Sequence, residues 1–229
     1  MVAMTFASFF DDAAVFPPGN APMRAAVAAH VERRARPDGQ YVGPFVCPAA
    51  AIPELVEALE GDPLDVSVVG LPTGPMPAAV ALVAVELGDV AERPDLPDDV
   101  TVVVERPWGT SYDVPAGTVL KLRCGGAYVP TVEELAGAIG HCVDAHQPFK
   151  LTAGLHHAIR SGDDHGFVNV MAAVIAATAG RDPSAALAAD HVEDLDLDHL
   201  ERTRTVFRSI GTCSIDEPLA DLRALGLIA

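Results

Sequence analysis

Lys121 and Lys150 are the only lysines in this 229-residue chain; its thirteen remaining Lys/Arg-type cations are all arginine. Arginine stays protonated inside a protein, whereas a crowded or buried lysine can become a free, nucleophilic amine. Lys121 lies in Leu120-Lys121-Leu122-Arg123-Cys124-Gly125-Gly126, and Lys150 in Phe149-Lys150-Leu151-Thr152-Ala153-Gly154. A period of two places Lys121 with Arg123, and Lys150 with Thr152, opposite a face of Leu and Phe. If the apolar face packs against helices, both amines point into a shared interior. Two neighbouring cations lower each other's pKa, which is one way a Schiff-base lysine is activated. The plainer alternative is a pair of lysines serving as ordinary charge partners.

Other residue types suited to chemistry fall close to the same strand ends. Glu86, with Glu105 second, is the carboxylate best placed for proton transfer, and either can equally form an ion pair with Arg123 or Lys150. Asp11 and Asp12 end the first expected strand; one can enter the interior, or both can cap the following turn. His156 and His157 follow the Lys150 segment, with Asp163, Asp164 and His165 nearby. Such a cluster suits substrate binding, acid–base work, a divalent metal or simply structurally satisfied histidines. No HxH or HExxH pattern supports the metal, and neighbouring residues of an extended segment point to opposite sides. Cys47, Cys124 and Cys213 read as small buried residues, and Trp108 as a roof over the interior or a packing residue.

The elements that must position these residues are successive βα units. Strands are expected at Phe6–Phe10, Val42–Cys47, Leu64–Val69, Val80–Glu86, Val100–Glu105, Thr118–Cys124, Phe149–Ala153 and Thr205–Gly211. Helices are expected at Met23–Arg36, Ile52–Leu59, Val132–Ala145, Gly166–Ala179 and Pro218–Leu225. Thr131 followed by Glu134 marks a capping box. Asp89 to Asp99 is too polar and Pro-interrupted for a full helix. Eight strands suffice to close a barrel, so the expected fold is α/β, a (β/α)8 TIM-type barrel spanning residues 1–229 as a single domain.

Composition narrows the partners. The net charge is −17, with no basic stripe to neutralise phosphates, so neither nucleic acid nor a membrane surface is an expected partner. No apolar run is long enough to span a bilayer. The four cysteines lack CxxC spacing, and the N-terminus lacks a basic leader; a cytoplasmic location is expected. An anionic substrate would require a local basic pocket.

At these residues the sequence resembles the deoxyribose-phosphate aldolases, class I aldolases on a TIM barrel. Their K-x-S-T-G, K-x-x-G-G-I-R and G-T-S-S motifs correspond to Lys121-Leu-Arg-Cys-Gly125, Lys150-Leu-Thr-Ala-Gly154 and Gly211-Thr212-Cys213-Ser214. Phe10-Asp11-Asp12-Ala13, Phe45-Val46-Cys47-Pro48 and Val69-Gly70-Leu71-Pro72-Thr73-Gly74 are similar to the family's earlier motifs, in the same order. The resemblance implies that Lys121 forms the Schiff base and that Lys150 is the cation beside it. It also implies an Asp on an earlier strand that moves protons through water; no residue here matches that Asp by motif, and Glu86 is the best local candidate, with Glu105 second. Two departures stand out: Arg123 replaces a small residue, and Gly154-Leu155-His156-His157 stands where the family has G-G-I-R. The substrate need not be deoxyribose phosphate, and the chain reads as a divergent branch.

The expectation is therefore a lyase acting through a Schiff base on a small carbonyl metabolite, phosphorylated or carboxylated, with no cofactor and no metal. Lys121, Lys150 and Glu86 would be catalytic. Arg123, Thr152, Gly154, His156, His157, Gly211, Thr212, Ser214, Asp11 and Asp12 would bind substrate. The expected partner is that small molecule, with self-association into a homo-oligomer left open. The alternatives are a metal-dependent hydrolase or isomerase built on the His/Asp cluster, and a barrel that binds a metabolite without catalysis.

Overall fold

In the computed structural model, which describes residues 5–61 and 63–229, the β-branched runs form eight strands. These are β1 (Phe10–Asp12), β2 (Val42–Pro48), β3 (Leu64–Val69), β4 (Val80–Leu87), β5 (Thr101–Glu105), β6 (Val119–Arg123), β7 (Phe149–Thr152) and β8 (Phe207–Thr212). Each pairs in parallel with its neighbour in sequence, and β8 pairs with β1, so the sheet is a closed barrel. The architecture is the α/β, TIM-type barrel expected from the alternation of strand and helix patterns.

The helical layer is incomplete. Helices follow β1 (α1, Met23–Arg34), β2 (α2, Ile52–Ala58), β6 (α3, Val132–Asp144), β7 (α4, Phe167–Thr178, and α5, Ser184–Ala188) and β8 (α6, Asp216–Ala224). The connections after β3, β4 and β5 contain none. Their sequences explain this: Pro72, Pro75 and Pro77 interrupt the first, Pro94 and Pro97 the second, and Pro107 and Pro115 the third. Each proline removes a helix donor and clashes with the preceding turn. The strongest start signal is realised: Thr131 accepts from the Glu134 amide while Glu134 accepts from the Thr131 amide. That capping box fixes where α3 begins behind the lysine strands.

Alternation in the strands divides the barrel wall into two faces. Leu120, Leu122, Phe149 and Leu151 are fully buried against Leu135 and Ile139 of α3 and Phe167 and Met171 of α4. Phe45, Cys47, Val66 and Val68 do the same against Met23 and Val27 of α1 and Leu55 of α2. Each fully buried side chain of this size contributes roughly 1.5–3 kcal/mol. Slipping β6 or β7 by one residue would exchange those leucines for the lysines. Outward packing of Leu and Phe is thus what holds Lys121 and Lys150 inside.

The first strand departs from expectation. Thr5 to Ser8 form a helical turn, and β1 begins at Phe10 and runs through both aspartates. The Phe run is a cluster rather than a strand. Phe6 meets Phe9 edge-to-face at 5.9 Å, Phe9 meets Phe207 at 5.2 Å, and Phe10 meets Phe167 at 5.4 Å. With the aspartates inside the strand, their side chains leave on opposite faces.

Candidate active site

The inward face of this barrel is charged. Barrel interiors of this type are ordinarily filled by branched apolar chains; here Asp11, Glu86, Glu105, Lys121 and Lys150 converge. Lys121 and Lys150 are register partners on adjacent strands, as Glu105 and Lys121 are on β5 and β6. Both lysines are buried. Lys121 Nζ donates to Glu86 Oε2 at 2.8 Å and lies 3.0 Å from Glu105 Oε2. Lys150 Nζ donates to Glu86 Oε1 and, across the barrel, to Asp11 Oδ2, each at 2.6 Å. Ser67 Oγ donates to Glu86 Oε1 at 3.0 Å, and Ser209 Oγ to Asp11 Oδ2 at 2.8 Å. Gly43 on β2 leaves the space that Asp11 fills, because a Cβ there would collide with the carboxylate.

The two amines are thus one carboxylate apart, and three carboxylates serve them. Burial alone would raise Glu86, but Lys150 and Lys121 outweigh it and hold its carboxyl well below the ordinary range. Burial opposes the charged form of Lys150, yet Asp11 and Glu86 prevail and raise its pKa. For Asp11 burial wins over Lys150, and its pKa is raised. Lys150 is therefore a fixed ammonium. Glu86 sits between the two amines, so they do not meet as a bare pair of like charges.

A cavity of about 570 Å³ opens beside this cluster at the C-terminal ends of β4, β5 and β6. Glu105 and Arg123 line it, with Trp108, Tyr128 and Arg106. Glu86 and Glu105 differ in access: the Glu86 side chain is 3% exposed and that of Glu105 is 32% exposed. Among the described residues, Arg123 forms no ion pair; Trp108 Nε1 donates to its carbonyl oxygen and braces the strand end. Arg106 is committed to Asp89 and to the Asp113 carbonyl. Arg123 is accordingly the cation of this cavity left for an anionic group.

The remaining candidates scatter. Asp12 faces outward, buried against α1, where His30 Nδ1 lies 3.0 Å away and Arg33 3.5 Å away. Its expected place in the substrate site is corrected by the alternation within β1. His156 pairs with Glu217 at 3.3 Å and His157 with Asp221 at 3.1 Å, both carboxylates belonging to α6. His165 is buried with Nε2 2.8 Å from the Pro130 carbonyl oxygen. Among the described residues no three His, Cys, Asp or Glu side chains converge as a metal site. The histidines are thus bound to the outer shell, not to the lysine cluster.

Thr152 and Gly211 face each other on β7 and β8, where a Cβ on Gly211 would lie 2.9 Å from Thr152 Oγ1. Gly154 has a φ of +70° and presses on the Cys124 carbonyl; close packing of the loops after β6 and β7 accounts for it. Thr212 Oγ1 accepts from the Ser214 amide and donates to its carbonyl, closing a local turn. Cys47 and Cys142 are pushed by burial up to about 11 and about 12, so neither is a ready nucleophile. Sequence reasoning missed Ser67 and Ser209, which orient the carboxylates. Their signal is a small polar residue at an inward position of an otherwise apolar strand.

Fold and site together define a closed parallel α/β barrel with a buried, ion-paired lysine couple. No family profile matches the chain, and no curated protein or solved structure matches it. Among the described residues no helix is long and apolar enough to cross a membrane.

Proposed function

We propose that the protein is a Schiff-base lyase of the class I aldolase type, acting on a small carbonyl compound that carries a phosphate or carboxylate. The observation that carries this reading is the position of Lys121, between buried Glu86 and cavity-facing Glu105, with Arg123 on the same cavity wall. The resemblance of the Lys121, Lys150 and Gly211 segments to the deoxyribose-phosphate aldolases supports it.

In this reading the Lys121 ammonium gives a proton to Glu105, and the neutral amine attacks the carbonyl carbon. Glu105 returns the proton as the carbinolamine loses water, leaving a cationic iminium in place of the ammonium. Net charge at this position is then unchanged, so the carboxylates that hold the ammonium also stabilise the iminium without reorganising. Cleavage follows when the carbon–carbon electron pair moves into the iminium and the β-hydroxyl proton leaves to a base. Lys150 fixes Glu86 and keeps it ionised. Glu86 was the expected proton carrier; its burial and double pairing suit a fixed counterion, and Glu105 is the group with a route to solvent.

The test is reductive trapping. Borohydride with a panel of phosphorylated and carboxylated aldehydes and ketones should add mass to Lys121, and Lys121→Met should remove the adduct. With only two lysines in the chain, peptide mapping is decisive. A complete lack of adducts would overturn the proposal and favour a binding barrel, a reading supported by the full ion pairing of both lysines.

A further inference from the structure

The other end of the barrel holds a second cavity, of about 600 Å³. Its lining includes Thr101 and Val119, the first residues of β5 and β6, so it is the N-terminal mouth, opposite the cavity of Glu105 and Arg123. At its inner end are Lys150, Asp11 and Ser209. The small inward residues Ser67, Ala84 and Ser209 leave it unfilled, and its volume is in the range of metabolite sites.

Three guanidinium groups line this mouth: Arg93, Arg204 and Arg208. Arg93 donates only to backbone carbonyls, those of Pro94, Leu96, Pro97 and Val100. Arg204 donates to the carbonyls of Ala7, Phe207 and Arg208 and lies over the Phe9 ring at 4.8 Å. Arg208 is exposed. Among the described residues none of the three pairs with a carboxylate. Six other arginines do so, whereas Arg34, Arg123, Arg160 and Arg202, scattered elsewhere, do not. In a chain of net charge −17, the gathering of three such cations around one cavity points to an anionic ligand. Asp98 is the acid on the rim, and Asp11 inside is engaged by Lys150 and Ser209. The balance at the mouth is therefore positive. Burial pushes Arg204 down to about 10, with Asp11 opposing the shift and Arg208 adding to it.

We propose that the N-terminal mouth is a second binding site, separate from the Lys121 site, for a compact multivalent oxyanion (a phosphate ester or a polycarboxylate) held by Arg204, Arg208 and Arg93. Planar guanidinium donors match phosphate and carboxylate oxygens in pairs. The site does not depend on Lys121 forming a Schiff base.

Calorimetric titration of the full chain with inorganic phosphate, and separately with citrate, at fixed ionic strength tests this and distinguishes the two chemistries. Saturable binding of at least one is expected, with a rise in melting temperature. In the Arg123→Ser background, where the cation of the Lys121 cavity is removed, binding should persist; there Arg208→Ser should weaken it tenfold or more and Arg208→Glu should abolish it. Arg208 is exposed and donates no side-chain hydrogen bond among the described residues, so these variants should fold where an Arg204 variant risks losing its brace on Ala7 and Phe9. Binding of neither anion, or binding that survives Arg208→Glu, would overturn the proposal. So would binding that Arg123→Ser removes, since the anion would then occupy the C-terminal mouth.

Discussion

Lys121 and Lys150 stand opposite each other on β6 and β7 and divide one carboxylate between them, each taking one oxygen of Glu86. Because Glu86 is buried on the far side of the barrel, that contact ties β4 to β6 and β7. It also makes the behaviour of each lysine depend on the other's partner.

Lys150→Met should destabilise the protein by about 3–5 kcal/mol, since Asp11 would be left a buried charge without its cation and Glu86 would keep Lys121 alone. Asp11→Asn added to it should recover part of that loss. Urea denaturation of both singles and the double gives the coupling. Strict additivity would mean that the Asp11–Lys150 contact carries no energy.

The pH dependence follows from the directions of the shifts. The raised pKa of Lys150 contributes stability that is complete below its unfolded value near 10.5 and is lost as pH climbs through the folded value. The depressed pKa of Glu86 contributes stability present above its unfolded value near 4.5 and lost as pH falls through the folded value. Asp11, with a raised pKa, acts in the opposite sense to Glu86 and binds its proton more readily in the folded state. In Lys150→Met, Asp11 loses its ammonium and Glu86 one of two, so the deficit against wild type should shrink on acidification from neutrality. Stability curves at several pH values check this; a deficit independent of pH would contradict it.

Glu105→Gln should slow adduct formation at Lys121 by about a hundredfold, the scale of one general acid–base group. Its melting temperature should change little, because the side chain reaches solvent. Glu86→Gln should instead lower the melting temperature clearly. Measuring trapping rate and melting for both variants separates a proton carrier from a fixed counterion.

Arg123→Ser should weaken capture of anionic carbonyl compounds by about tenfold to a hundredfold, as expected for a charged hydrogen bond of about 1.5–3 kcal/mol. Uncharged carbonyl compounds should be trapped as before. Equal losses for both would assign Arg123 a structural role.

Gly154→Ala should cost about 1–3 kcal/mol or more, from a φ of +70° and from collision with the Cys124 carbonyl. Gly125→Ala should act in the same direction, its Cβ falling 2.7 Å from the Gly154 amide nitrogen. Thermal melting shows whether this junction is tight packing, as the geometry has it.

Most of the barrel is legible in the sequence because its strands alternate with a period of two and its helices carry periodic apolar faces and, in α3, a capping box. The first strand starts only at Phe10 because Phe6 and Phe9, although of strand propensity, pack with Phe10 as an aromatic cluster ahead of it. The helix-free connections after β3 to β5 were only partly foreseen, although their prolines are visible.

Of the site, the sequence by itself determined the inward direction of Lys121 and Lys150, since moving them outward would bury charge against the helices and expose Leu120, Leu122 and Leu151. It also singled out Glu86 as their nearby acid. Only the tertiary structure decided that Asp11 enters while Asp12 leaves toward His30, that His156 and His157 pair with carboxylates of α6, and that Glu86 stands between the amines. Those outcomes depend on which strands face each other across a closed barrel and which helix lies over each strand end. Spacing along one segment carries no information about a carboxylate 35 or 139 positions away in the chain.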